Sequence, residues 1–174
     1  MAPMLFLIGA RAAGKTTCGR ALSKSMGLEF FDTDAILRER AGRSVAQIVE
    51  CEGWEGFRQR ESDVLRSLAS GAQGGVVATG GGMVLAPDNR ALLRRSGLVV
   101  FLDAPAEVLA ARLEAAPKAA QRPPLGVGNA GVLEEVRAVL AARRELYLAT
   151  AHRVVNAARP LPEVLADLQS LCSG

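Results

Sequence analysis

Lys15 and Thr16 follow Gly14, and Gly9 stands five residues before Gly14 in the run LFLIGARAAGKTT. The spacing G-x-x-x-x-G-K-T is that of a phosphate-binding loop. Its glycines let the backbone curl so that successive N–H groups face phosphate oxygens. The helix that follows adds unpaired N–H donors and the positive end of its dipole. Lys15 supplies a point charge for the β and γ phosphates, and Thr16 a hydroxyl for Mg²⁺. Gly9, Ala12, Ala13, Gly14, Lys15, Thr16 and Thr17 are therefore the candidate nucleotide contacts. The competing reading is a Gly-rich strand-to-helix turn that holds nothing.

Other residues could act beside this loop. Asp32 and Asp34 follow a short apolar strand. One could hold Mg²⁺ and the other orient, or take a proton from, an acceptor hydroxyl; alternatively, Thr33 or Asp34 caps the next helix. Gly80, Gly81 and Gly82 permit close approach of a ligand to main-chain donors, where a plain turn needs fewer glycines. Asp103 precedes Pro105 and reads as a helix cap, so it is left out of the site.

Three arginines stand apart from the rest. Arg58 sits at the edge of an apolar helical stripe, with Glu61 one turn on as a partner along the helix. Arg143 falls between Leu140 and Tyr147 on an apolar face, where its charge must snorkel or meet an anion. Arg144 points away and reads as a surface residue. Arg122 lies in a Pro- and Gly-punctuated stretch, 116–131, too long for a plain connection. It is either an exposed arginine in a loop, or a cation that a lid carries to a transferring phosphoryl group. His152 and Trp54 read as packing residues.

These side chains need a scaffold of alternating strands and helices. Leu5–Ile8 reads as a buried strand and Lys15–Met26 as a helix stopped by Gly27. A strand at 29–31 precedes helices at 35–41, 44–51 and 53–70. Then come a strand at Gly75–Ala78, a helix at 87–95, a strand at 98–102 and a helix at 105–115. Beyond 116–131 a helix at 132–149, a strand at 153–155 and a helix at 161–171 complete the chain. The alternation predicts an α/β sheet, mostly parallel and covered on both faces. Ligands of such sheets bind beyond the carboxyl ends of the strands, where the loop, Asp32, Asp34 and the glycine triplet fall.

A chain of 174 residues suits one domain spanning 1–174. Cys18, Cys51 and Cys172 have no zinc-like spacing and suit reduced thiols in a cytoplasmic protein. No apolar stretch is long enough to span a membrane, and no secretory leader is evident. The net charge is +3, but its arginines are scattered and aromatics are few, which disfavours a nucleic-acid surface. The expectation is a cytoplasmic monomer without membrane or nucleic-acid partners.

In order, GxxxxGKTT at 9–17, FDTD at 31–34, GFRxxE at 56–61, TGGG at 79–82, RPPL at 122–125 and RxxxY at 143–147 resemble the shikimate kinases along nearly the whole chain. The resemblance implies a P-loop, nucleoside-monophosphate-kinase-like three-layer sandwich with a five-stranded parallel sheet and a mobile lid at about 116–131. It implies ATP-dependent phosphorylation of the 3-hydroxyl of shikimate, with Mg²⁺. Lys15, Asp34 and Arg122 would be catalytic, Arg122 also touching the nucleotide. Asp34, Arg58, Gly80, Gly81, Gly82 and Arg143 would hold shikimate, and Asp32 with Thr16 would hold the metal. Arg112 and the region of Arg159 are expected near the adenine. Ala12 departs from the family's usual glycine and Pro124 from its usual leucine. A kinase of another small hydroxylated acid such as gluconate, and a non-catalytic nucleotide switch, are the competing functions.

Overall fold

The structure is a computed structural model that describes residues 4–71, 74–116 and 131–172. Its elements run β1 (Met4–Ile8), α1 (Lys15–Met26), β2 (Glu29–Asp32), α2 (Thr33–Ala41), α3 (Val45–Ala69) and β3 (Gly75–Ala78). A 3₁₀ turn (Met83–Leu85), α4 (Pro87–Ser96), β4 (Gly97–Asp103), α5 (Ala106–Ala115), α6 (Val132–Thr150), β5 (Arg153–Asn156) and α7 (Leu161–Cys172) follow. Every strand pair is parallel, in the order β2-β3-β1-β4-β5. β1 is central and buried throughout, which its unbroken apolar run anticipates. β2 does not adjoin β1, because β3 inserts between them.

Two apolar cores result. The larger centres on Phe6, Leu7, Ile8, Val77, Val100 and Phe101 of the sheet, packed by Leu22 of α1 and Leu168 of α7. The smaller, Leu37, Val45, Ile48, Phe57 and Val64, lies between α2 and α3. Burying a Leu, Ile, Val or Phe side chain is worth roughly 1.5–3 kcal/mol, so each cluster gives its elements their own source of cohesion.

The two helices expected at 44–51 and 53–70 are the two halves of α3, parted by a kink at Gly53, whose φ of 70° and ψ of 177° only glycine adopts readily. Ser44 and Gln47 close a capping box at its start. Glu52, just before the break, receives both Nε and Nη2 of Arg60 beyond it, at 2.7 and 2.8 Å. That two-pronged pair spans the kink and fixes the angle between the halves.

His152 does support the sheet. Its Nδ1 accepts the Val99 N–H at 3.0 Å, while its own N–H donates to the Val99 carbonyl at 2.8 Å. Burial, with Arg94 and Arg153 nearby, holds the imidazole pKa below its ordinary value. Asp103 does not cap α5. It accepts a hydrogen bond from the exposed Arg144 at 2.8 Å, and no side chain caps that helix. No helix among the described residues is long and apolar enough to cross a membrane.

Candidate active site

The loop between β1 and α1 is shaped by backbone geometry. Gly9 has a φ of 145°, and a Cβ there would stand 2.8 Å from the Leu102 carbonyl oxygen. Ala12 adopts a left-handed φ of 64°, which costs an L-residue about 1–2 kcal/mol. The turn therefore accepts a Cβ at the position where the family's glycine is expected. Arg112 of α5 braces it, donating to the Ala12 carbonyl at 3.3 Å and to the Ala157 carbonyl at 2.8 Å.

Lys15 is buried, and its Nζ donates to the carbonyls of Gly9 at 2.8 Å and Ala10 at 2.7 Å. A buried ammonium needs such acceptors. Thr16 Oγ1 donates to Asp32 Oδ2 at 2.9 Å. Asp32 Oδ1 accepts the N–H groups of Asp34 at 3.0 Å and Ala35 at 3.1 Å. Asp32 is thus the cap of α2, in place of Thr33 or Asp34, and it also holds the loop hydroxyl. Thr33 is used differently: its Oγ1 accepts the Gly80 N–H at 2.9 Å.

A hydroxyl beside a carboxylate is a hard-oxygen donor set. It suits a Mg²⁺ ion that keeps waters and takes its other ligands from phosphates. No cluster of three or more His, Cys, Asp or Glu side chains among the described residues offers a protein-only metal cage.

A cavity of about 660 Å³ opens over the loop, lined by residues 11–18, Asp32, Asp34, Thr79, Arg112, Arg159 and Leu161 among others. A smaller cavity adjoins it, lined by Asp34, Trp54, Arg58, Glu61, Gly81, Gly82 and Arg143 among others. Gly81 and Gly82 of the glycine triplet line this second cavity. The Arg58 guanidinium lies against Gly82 in the space a side chain there would fill. A Cβ on Gly80 would come within 2.6 Å of Glu61 Oε1 and 2.9 Å of Asp34 Oδ1.

Arg58 forms an ion pair with Glu61 and lies 5.5 Å from the Trp54 ring and 5.3 Å from that of Phe57. Such cation–π contacts steady the guanidinium without neutralising it. Burial pushes the Glu61 carboxyl above its usual range against the opposing pull of Arg58, and the negative Asp34 adds to the rise. Arg143, half-buried on α6, faces the same cavity beside Val139. One turn on, Tyr147 is fully buried, stacks on Phe101 at 5.0 Å and donates its hydroxyl to the Gly81 carbonyl at 2.6 Å. Burial raises the phenol pKa, with Arg143 opposing. The bond ties α6, and with it Arg143, to the glycine turn.

The fold therefore gathers Asp34, Arg58, Gly81, Gly82 and Arg143 around one cavity, with Gly80 behind it against Asp34 and Glu61, next to the loop that carries Lys15, Thr16 and, across its hydroxyl, Asp32. Arg122 and most of the stretch expected to be a lid lie outside the described residues. Sequence reasoning passed over Arg11, which lines both cavities, and the bridging role of Tyr147, the chain's single tyrosine. Trp54 does pack, edge-on against Phe57 at 5.8 Å, but the residue is 40% exposed and also lines the smaller cavity, which packing alone did not foretell.

The family model described as "SKI: Shikimate kinase" matches residues 11–171. Shikimate kinase 2 of Syntrophotalea carbinolica is 52% identical over 171 residues, covering 98% of this chain and 97% of that one. Shikimate kinase 2 of Dickeya chrysanthemi is 48% identical, covering 97% and 95%. The solved shikimate kinase of Acinetobacter baumannii in complex with shikimate superposes with a TM-score of 0.85 at 36% identity, covering 99% of this chain and 94% of that one. A gluconokinase from Sinorhizobium meliloti, at 19% identity and a TM-score of 0.59 with 99% and 92% covered, shares the fold alone.

Proposed function

The chain belongs to the shikimate kinase family, and from that premise we propose how its own residues carry out the reaction. It phosphorylates the 3-hydroxyl of shikimate at the expense of ATP, with Mg²⁺ as the metal. The observation that carries the assignment of roles is the meeting of Arg58 and Arg143 with Asp34 in a cavity that adjoins the Lys15 loop.

Guanidinium forks suit a carboxylate, with which each can form paired, charge-assisted hydrogen bonds. Arg58 and Arg143 hold the shikimate carboxylate, and the turn at Gly80–Gly82 lets the ring approach the main chain. Asp34 orients the 3-hydroxyl and accepts its proton. The loop N–H groups from Ala12 to Thr17 bind the nucleotide phosphates, and Lys15 leaves its carbonyl partners for the β and γ phosphates. Thr16 and Asp32 would hold Mg²⁺, which would supply positive charge to offset that of the phosphates. Arg122, within a lid at 116–131, adds a cation to the nucleotide side. The chain acts as one kinase domain, 1–174, and as a cytoplasmic monomer with no nucleic-acid or membrane partner. Scattered arginines and free cysteines support that last reading.

ADP release measured with shikimate, gluconate and nucleoside monophosphates tests the acceptor. Turnover with shikimate alone is expected. Turnover with gluconate or a nucleotide and none with shikimate would overturn the assignment.

A further inference from the structure

A phosphoryl group in transit must cross from the cavity over the phosphate loop to the cavity of the acceptor. Four residues line both: Arg11, Asp34, Val45 and Gly81. Val45 is apolar, and the Gly81 carbonyl already accepts the Tyr147 hydroxyl. Asp34 puts a negative charge on the route, which by itself repels the group that must pass. Lys15 lines only the larger cavity, and Arg58 and Arg143 only the smaller. Arg11 is thus the one cation common to both among the described residues.

Its placement is held from two sides. Arg11 directly precedes Ala12, whose left-handed φ of 64° bends the loop. Its backbone nitrogen lies 3.7 Å from the point that a Gly81 Cβ would occupy, so its main chain abuts the glycine turn. The residue is half-buried at this junction.

We propose that Arg11 is a catalytic residue whose guanidinium contacts the non-bridging oxygens of the phosphoryl group as it passes from ATP to the 3-hydroxyl. The proposal rests on the acceptor reading above. In the step, the bond between the γ-phosphorus and the β–γ bridging oxygen breaks, and ADP leaves with the electron pair. The hydroxyl oxygen bonds to phosphorus and its proton passes to Asp34. Charge in such a transition state spreads over the three equatorial oxygens. A planar fork can meet two of them and offset the repulsion from Asp34. Arg11 moves no proton, since a guanidinium stays charged throughout. The rival role is a third clamp on the substrate carboxylate, which would show in binding instead of turnover.

Steady-state kinetics of Arg11→Gln and Arg11→Lys beside the unmodified enzyme separate the two. The unmodified enzyme must turn over shikimate; if it does not, the acceptor assignment fails whatever Arg11 does. For Arg11→Gln, kcat should fall by roughly 10²–10³-fold, while KM for ATP and for shikimate stays within about threefold. Guanidinium ion added at millimolar levels to Arg11→Ala should restore part of kcat. A kcat within about threefold of the parent, or a KM rise for shikimate at unchanged kcat, overturns the proposal. If circular dichroism shows Arg11→Gln unfolded, Arg11→Lys decides. It keeps the charge and loses the fork, so kcat should drop about tenfold, and an unchanged kcat overturns the proposal.

Discussion

Residues 9–17 are consecutive, and most of what they present to a phosphate is main chain. The opposite end of the cleft is gathered from α2, α3, the glycine turn and α6, and it works through side chains: Asp34, Arg58, Glu61, Arg143 and Tyr147. The loop springs from β1 in the larger core, whereas α2 and α3 share the smaller one. The contrast explains what each end tolerates. The loop can carry Ala12 because a methyl group there removes none of its main-chain N–H groups. At the acceptor end each group holds another: Tyr147 the glycine turn, Glu61 the guanidinium of Arg58, and the missing side chain of Gly82 its seat.

Three changes can break this division. Lys15→Ala should have the largest effect, lowering kcat on the order of 10³-fold or more, as loss of a transition-state cation does. Shikimate capture, followed through the fluorescence of Trp54 in the acceptor cavity, should persist; its loss would mean the two ends are not separable. Arg143→Ala comes next. It should weaken shikimate binding by roughly 2–5 kcal/mol, the range for removing one partner of a buried charge pair. ATP affinity, titrated in parallel, should hold, and an equal fall for both ligands would defeat the contrast. Tyr147→Phe is the mildest. Losing the hydroxyl bond to Gly81 should cost about 0.5–1.5 kcal/mol, read as a lower melting temperature and a few-fold rise in shikimate KM. If KM for ATP rises instead, the tyrosine braces the wrong end.

The same contrast explains how much was legible beforehand. Spacing within 9–17 is local, so the loop, and α1 at Lys15–Met26 with it, could be read directly. Arg143 was legible because a charge on an apolar helical face demands a partner. Asp32 was half-legible. A cap is a local event, but its second oxygen meets Thr16 through a sheet order in which β3 separates β2 from β1. Trp54 was legible as a packing residue, and it does meet Phe57, but its place on a cavity wall was not, because that wall is shared with Val139 and Arg143 on a distant helix. Glu61 was legible as the helical partner of Arg58 but its burial was not, and the bond of Tyr147 gave no local signal, since Gly81 lies on another segment.

The contact between Arg58 and Gly82 carries an evolutionary consequence. Every non-synonymous change of a glycine codon that still encodes an amino acid adds at least a methyl group. At position 82 that carbon would evict a charge from its resting place above two aromatic rings. So long as an arginine stands at 58, the lineage has no neutral step open at 82, and the two positions must be inherited as a single unit.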